Sequence, residues 1–237
     1  MIQVTGVVAD YGAQPVLHGV DLCLEDGQAL CIVGPNGSGK STVLRAIYGL
    51  AHVRAGRVMV DGVDVTHLPA GERLRRTRMA YVLQESSIFP DMTVEQNLRL
   101  GGHLMAPARA ARDAAARLLD EYPTLAALGR QRAGTLSGGE RRLLEIVRSL
   151  IMDPLILLAD EPTIGLAPQA VESVFALFDT LRQRGKSILL VEQNTRAGLG
   201  FADLGCVLVA GQVVRTGPAK ALLADTAMAN MLLGVEA

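Results

Sequence analysis

An α/β fold is predicted, with a mainly parallel sheet, an N-terminal antiparallel β part and an inserted helical part, and three patterns predict it. Residues 155–159 and 188–191 are continuous apolar runs of strand length, the mark of parallel strands buried on both faces. Between them lies a stretch of helical period in which Val171, Val174, Phe175, Phe178 and Leu181 share a side. Short apolar runs around Asp26-Gly27, Asp61-Gly62 and Ala210-Gly211 predict antiparallel turns.

The first thirty residues read as short extended segments. Residues 16–24 and 28–33 flank Asp26-Gly27, which predicts a tight turn between them, and residues 57–60 and 63–65 bracket Asp61-Gly62 as a second hairpin. A strand-to-helix switch falls at Gly34. From Ser41 the period is helical, with Leu44, Ile47 and Tyr48 on one face and Gly49 placed to end the helix. Residues 79–83 form a strand. Residues 86–123 are richer in Ala and Arg and read mainly as helix, so a helical lobe is expected over roughly 85–150, inserted into a body made of 1–84 and 151–237. Past the strand at 155–159, Pro168 starts a helix and Gly185 stops it. The strand at 187–191 follows, then a hairpin from 206–209 and 212–214, and a short helical tail.

A length of 237 residues suits one domain with a substantial core. That core is aliphatic, because 49% of residues are hydrophobic while 3% are aromatic, and the same composition argues against disorder. With 23 basic against 24 acidic residues the net charge is −1, which lacks the basic footprint of a nucleic-acid binder. No apolar run approaches the ~20 residues of a membrane span. The start, MIQVTGVVAD, has neither a positive leader nor an apolar stretch, so a cytosolic location is expected. Cys23, Cys31 and Cys206 sit among apolar neighbours and are expected to be buried, reduced thiols.

Gly34-Pro35-Asn36-Gly37-Ser38-Gly39-Lys40-Ser41-Thr42 fits G-x-x-x-x-G-K-[ST] and lies between an apolar strand and an amphipathic helix. Glycines let successive N–H groups turn inward around phosphate oxygens, and the helix N-terminus adds unpaired donors. Lys40 brings a point charge to the β- and γ-phosphates of a nucleotide, and the Ser41 hydroxyl suits Mg²⁺. A P-loop NTPase core, with ATP and Mg²⁺, is therefore expected. Downstream, the apolar strand at 155–159 ends in Asp160-Glu161. An acid at a strand tip beside such a loop holds the metal, and its neighbour serves as base for the attacking water, so Asp160 is assigned to the metal shell and Glu161 to catalysis.

Leu136-Ser137-Gly138-Gly139-Glu140 precedes a helix in which Leu143, Ile146, Val147, Leu150 and Ile151 share a face. Ser137 and Glu140 have the spacing of a capping box. A cap needs no glycine pair, however, and glycines bared at a helix N-terminus make an anion site.

Phosphate loop, Gln84, LSGGE, a strand-end Asp-Glu and a last apolar strand ending in Glu192-Gln193-Asn194 resemble, in this order and over essentially the whole chain, the nucleotide-binding subunit of ABC transporters. The resemblance implies a single ATPase domain over 1–237, with a RecA-like body, and a head-to-tail dimer. In that dimer Ser137, Gly138, Gly139 and Glu140 of one subunit close over ATP held by the phosphate loop of the other. It also implies that Tyr11 stacks on adenine, and that Gln84 touches the metal or attacking water and relays the state of the site to transmembrane permease subunits. An extracytoplasmic solute-binding protein would act indirectly, no nucleic acid is involved, and the chain would sit on the inner face of the membrane.

Two positions depart from the family pattern. Gln193 stands where a His usually senses the γ-phosphate; its amide still donates a hydrogen bond but exchanges no proton. Ala167, within Gly165-Leu166-Ala167-Pro168, stands where most members have Asp. The strings at 163–168, 190–194 and 88–98 look like the branched-chain amino-acid uptake subfamily, whereas SGGERR at 137–142 also occurs in the lipopolysaccharide-export ATPase. The alternatives are therefore that export system, a soluble non-transport ABC ATPase, and an ATP-gated clamp. By the same likeness residues 88–98 would line the groove that receives a helix of the transmembrane subunit. Arg73, Arg75, Arg76 and Arg78 form a basic cluster beside Glu72, read as a solvated face with local ion pairs or a contact to headgroups or a partner loop.

Overall fold

The computed structural model describes residues 1–12 and 14–225. Among the described residues ten strands form two sheets. In the first, β1 (Ile2–Asp10) lies between β2 (Leu17–Leu24) and β4 (His52–Val60), with the short β5 (Val63–Asp64) at the edge, all antiparallel. β1 and β2 largely alternate buried and exposed residues, as strands with one solvated face do.

The second sheet has six strands in the order β10-β9-β3-β8-β7-β6: Gln212–Pro218, Leu204–Val209, Ala29–Val33, Ser187–Val191, Ile156–Asp160 and Met79–Val82. Only the β9–β10 pairing is antiparallel. Every residue of β3, β7 and β8 is buried, and successive side chains serve opposite cores. Ala29, Cys31, Leu157, Ala159, Ile188 and Leu190 pack with helices on one face. Leu30, Ile32, Ile156, Leu158, Leu189 and Val191 pack with the first sheet and α1 (Lys40–Tyr48) on the other.

This arrangement positions the site. β3, β8, β7 and β6 are adjacent and parallel, with Ile32 opposite Val191, Asp160 opposite Val191, and Val82 opposite Ala159. Their C-terminal ends are therefore level, and the segments that follow them open on one edge, where open α/β sheets bind ligands.

Between β6 and β7 the chain is helical: α3 (Val94–Gly101), α4 (Ala108–Glu121), α5 (Pro123–Ala127) and α6 (Gly138–Ser149), after α2 (Ala70–Thr77) ahead of β6. α7 (Pro168–Gln183), α8 (Thr195–Phe201) and α9 (Ala219–Ala224) complete the described chain; the rest of the expected helical tail lies outside the described residues.

Four expectations are corrected. Asp26-Gly27 does not close a hairpin: β2 pairs with β1 while β3 pairs with β8 and β9, so the turn carries the chain from one sheet to the other. Asp61-Gly62 and Ala210-Gly211 do close hairpins, with positive φ at all four residues. Residues 86–93 are not helical; the buried Asn97 accepts from the Phe89 N–H at 2.8 Å and donates to the Phe89 and Thr93 carbonyls at 3.0 Å each, holding an irregular loop that α3 then ends. Cys23 is exposed, while Cys31 and Cys206 are buried. Arg73 leaves the basic cluster altogether. It is 2% exposed and donates to the carbonyls of Leu68, Ala46, Ile47 and Thr66 at 2.7, 2.7, 2.6 and 2.8 Å. It thus caps the C-terminal end of α1, where a cation is favoured, and burial pushes its pKa down to about 10. Arg76 fits the solvated reading, 3.2 Å from Glu72.

Candidate functional site

A cleft of about 440 Å³ opens at the level strand ends, and Lys40, Ser41, Gln84, Glu161 and Gln193 all line it with the loop after β3. The loop's path depends on glycine at its two ends. A Cβ on Gly34 would stand 2.0 Å from the Leu208 carbonyl oxygen, and Gly39 holds φ +99 as the N-cap of α1. No side chain caps α1, and its first turn carries no acid, so the orphan N–H groups and the positive end of the helix face the cleft. Ser38 Oγ in the same loop is buried without a hydrogen-bond partner. Lys40 Nζ donates to the carbonyls of Gly34 and Pro35 at 2.9 and 3.0 Å. Burial pulls its pKa below the ordinary lysine value, while Glu161 and Asp160 pull the other way.

β7 delivers both carboxylates. Asp160 Oδ1 accepts from Ser41 Oγ at 2.8 Å, and its Oδ2 accepts from Tyr81 Oη at 2.8 Å. Glu161 leaves the strand with φ +45, a left-handed conformation uncommon for a side chain of this size, while its N–H still bonds Val191 O at 2.9 Å. Gln84 Nε2 donates to Glu161 Oε2 at 2.8 Å. Burial raises the Glu161 pKa above the ordinary value; Lys40 opposes the shift, Asp160 adds to it, and the Gln84 hydrogen bond opposes it. Behind them, Glu192 accepts from Thr163 Oγ1 at 2.8 Å and anchors the loop after Glu161.

The sequence-derived residues divide into two groups. Asn36, Gly37, Gly39, Lys40, Ser41, Thr42, Gln84, Glu161 and Gln193 share the cleft, with Asp160 joined through Ser41, and Gln193 Nε2 reaches Asn36 Oδ1 at 3.4 Å. Tyr11 lies at its margin, 52% exposed, with its hydroxyl 3.3 Å from Thr42 Oγ1. Ser137, Gly138, Gly139 and Glu140 are not brought to the cleft. They line a separate depression of about 870 Å³ together with Gly165, Leu166 and Ala167. There Ser137 Oγ caps α6 by accepting the Glu140 N–H at 3.3 Å, and Glu140 accepts the Ser137 N–H at 2.8 Å.

Tyr81 and Arg45 are participants that the sequence reading missed. The Tyr11 hydroxyl first, and that of Tyr81 after it, raise the Arg45 pKa, and Tyr81 in turn donates to Asp160. The available signal was a tyrosine in the otherwise apolar strand 79–82.

Among the described residues, no group of three or more His, Cys, Asp or Glu could hold a metal by itself. The oxygens of Ser41, Asp160 and Gln84 are a partial, hard donor set. It fits a small divalent cation that keeps waters and takes its remaining ligands from phosphate, which is the habit of Mg²⁺.

Residues 17–164, more than half of the chain, match the family model described as ABC transporter. A probable branched-chain amino acid transport ATP-binding protein, LivF of Archaeoglobus fulgidus, is 36% identical over 236 residues, 99% of each chain. The high-affinity branched-chain amino acid transport ATP-binding protein BraG of Pseudomonas aeruginosa is 34% identical, over 99% of this chain and 100% of its own. A crystal structure of the ADP conformation of an ATP-binding cassette of an ABC transporter superposes with a TM-score of 0.87 at 28% identity, covering 99% of this chain and 98% of that one. A dimeric cassette in a post-hydrolysis state, bound to ADP and Pi, gives 0.81 at 26% identity over 92% and 99%.

Proposed function

The chain belongs to the ABC transporter family, and on that premise we propose that it powers a membrane importer of branched-chain amino acids or a related small polar solute. It is an ATPase that binds nucleotide. The observation that carries the site assignment is the convergence of four strand ends on one cleft, with Gln84 2.8 Å from Glu161 and Ser41 2.8 Å from Asp160.

In this reading the N–H groups of the loop from Gly34 to Thr42 and the Lys40 ammonium hold the phosphates, and Tyr11 covers the adenine. Ser41, Asp160 and Gln84 would hold Mg²⁺, which would supply positive charge to the phosphates. Glu161, its basicity raised by burial, takes a proton from the attacking water, and Gln84 orients that water. Gln193 donates an amide hydrogen bond to the γ-phosphate without changing charge. Ser137, Gly138, Gly139 and Glu140 lie away from their own cleft and so serve a second ATPase subunit, head to tail; whole chain and helical lobe, roughly 85–150, work as one ATPase domain in that pair.

Among the described residues no helix is long and apolar enough to cross a membrane. In this reading transmembrane permease subunits form the path, with this chain on the inner face and an extracytoplasmic solute-binding protein delivering the cargo; the transport relatives support it. Two amino-acid transport relatives matched over nearly their whole length support uptake over lipopolysaccharide export.

The test is to isolate the full chain from detergent-solubilised membranes, identify the integral proteins that accompany it, and reconstitute them in vesicles. ATP-driven accumulation of labelled leucine or valine is expected. Recovery without any integral membrane protein overturns the transport reading; recovery with a lipopolysaccharide-extracting complex overturns the cargo.

A further inference from the structure

We propose that Arg142 and Glu145, on the helix that begins at Gly138, are positioning residues that hold Gln84 against Glu161. This rests on the reading of Gln84 given above and deepens it. The two side chains are 8% and 4% exposed and form an ion pair, Nη1 to Oε2, of 3.0 Å. Neither faces solvent as charged residues on an amphipathic helix ordinarily do. Both are spent on residues 83–87, an irregular segment beyond the end of β6.

Arg142 Nη1 donates to the Leu83 carbonyl at 3.0 Å and Nη2 to the Gln84 carbonyl at 3.2 Å. Glu145 Oε1 accepts from Ser86 Oγ at 2.8 Å and from the Ser87 N–H at 3.0 Å. One turn further along α6, Arg148 donates to Ser87 O at 2.7 Å and to Ser87 Oγ at 2.6 Å.

A buried ion pair gains little stability over apolar side chains of the same volume, because both charges must be desolvated. What this pair supplies instead is geometry. The planar guanidinium fork fixes two successive carbonyls, one of them that of Gln84, and the carboxylate fixes the segment two and three residues on. With the Gln84 backbone held at one side, its amide meets Glu161 at 2.8 Å without further restraint. A site group held by such a supporting shell keeps a narrow geometry, and loss of that shell loosens it.

The decisive variant is Arg142→Met with Glu145→Leu, which removes both charges together and leaves neither buried alone. In the full chain, kcat per folded molecule is expected to fall about tenfold, within the roughly hundredfold that an ångström of misplacement can cost, while KM for ATP stays within about twofold. Added to Gln84→Ala, the same pair is expected to change kcat no further. A pair that only stabilises the fold would lower the melting temperature and leave kcat unaltered, or cut kcat equally in both backgrounds; either result overturns the proposal.

A second measurement needs no nucleotide. Amide hydrogen exchange over 84–87 should accelerate in the double variant while β7 and β8 keep their protection, and unchanged exchange overturns the clasp. If the double variant does not fold, Arg142→Lys keeps the charge but loses the fork, and the same exchange and kcat readings apply. A parent chain without ATPase activity would sink the hydrolysis reading alone, because exchange over 84–87 still decides the clasp.

Discussion

Two helices of this protein begin at glycine-bearing turns, and their N-termini are finished in opposite ways. α1 starts from Gly39 with no side-chain cap, no acid in its first turn, and Lys40 as its first residue. α6 starts from Ser137 with a reciprocal capping box and Glu140 in its first turn. Every helix begins with orphan N–H groups. At α1 they are left for a ligand, and a cation is added to them; at α6 two of them are closed by the chain itself, and an anion is added. Hydrogen bonds from Ser137 hold the Glu140 carboxyl below the ordinary glutamate range, so that anion persists into acid. The same glycine-bearing start thus yields one open terminus and one closed by the chain itself, which in the proposed pair grip a phosphate and cover one gripped by the other subunit, respectively.

Breaking the gripping side should give the largest effects. Glu161→Gln keeps an acceptor for Gln84 but removes the proposed base, so single-turnover hydrolysis should fall about 1000-fold while calorimetric ATP affinity is retained. Undiminished turnover would overturn the assigned base. The pH dependence carries the same signature with a definite sign. In the proposed mechanism the carboxylate is the active form, and burial raises its pKa, so on acidification the rate should begin to fall above the ordinary glutamate range, and this limb should vanish in Glu161→Gln. Gln193 adds no titration of its own, whereas Gln193→His should introduce a second limb near the imidazole range.

Lys40→Ala removes the cation that separates α1 from α6. ATP affinity of the full chain should fall about 100-fold by calorimetry, the loss expected for charge-assisted hydrogen bonds to phosphate. Tyr81→Phe takes one partner from Asp160 Oδ2 and leaves Ser41 on Oδ1. The Mg²⁺ concentration for half-maximal hydrolysis should rise about tenfold, as when a ligand's supporting hydrogen bond is lost, and fluorescent-nucleotide binding without metal should be unchanged.

The contrast between the helices also shows what a sequence discloses. Gly34 to Thr42, the strand-end Asp160-Glu161 and the Ser137/Glu140 spacing are local patterns, and local patterns can be read from the chain. The alternating cores of β3, β7 and β8 are equally legible, because continuous apolar runs admit few other solutions. Arg73, Arg142, Glu145 and Tyr81 were not legible. Each is a polar residue whose decisive partners lie far away in sequence, on carbonyls, hydroxyls and carboxylates that only the folded chain brings near; on a helical wheel the three helical ones are indistinguishable from a solvated face, and Tyr81 stands out in its apolar strand without disclosing its partner. The Asp26-Gly27 turn failed for the same reason. Its dihedral chemistry is a turn's, but which strand pairs with which is settled by the two cores and not by the dipeptide.

The smallest effect tests the covering side. Ser137→Ala removes the oxygen that accepts the Glu140 N–H and the donor that holds the Glu140 carboxylate. A lost N-cap costs about 1 kcal/mol, which lowers the melting temperature of a chain this size by roughly 2–4 °C. The pH dependence is fixed by sign. The Glu140 pKa is depressed in the folded chain, so its share of the cap is fully present above the unfolded glutamate value and is lost as pH falls through the folded one. The melting difference between parent and variant should therefore be constant at neutral pH and shrink below about pH 4. Gly39→Ala strains a left-handed N-cap that has no such box, so its cost should show no carboxylate titration. If both differences shrank together on acidification, the two termini would not differ in the way their caps imply, and the division between gripping and covering would lose its physical basis.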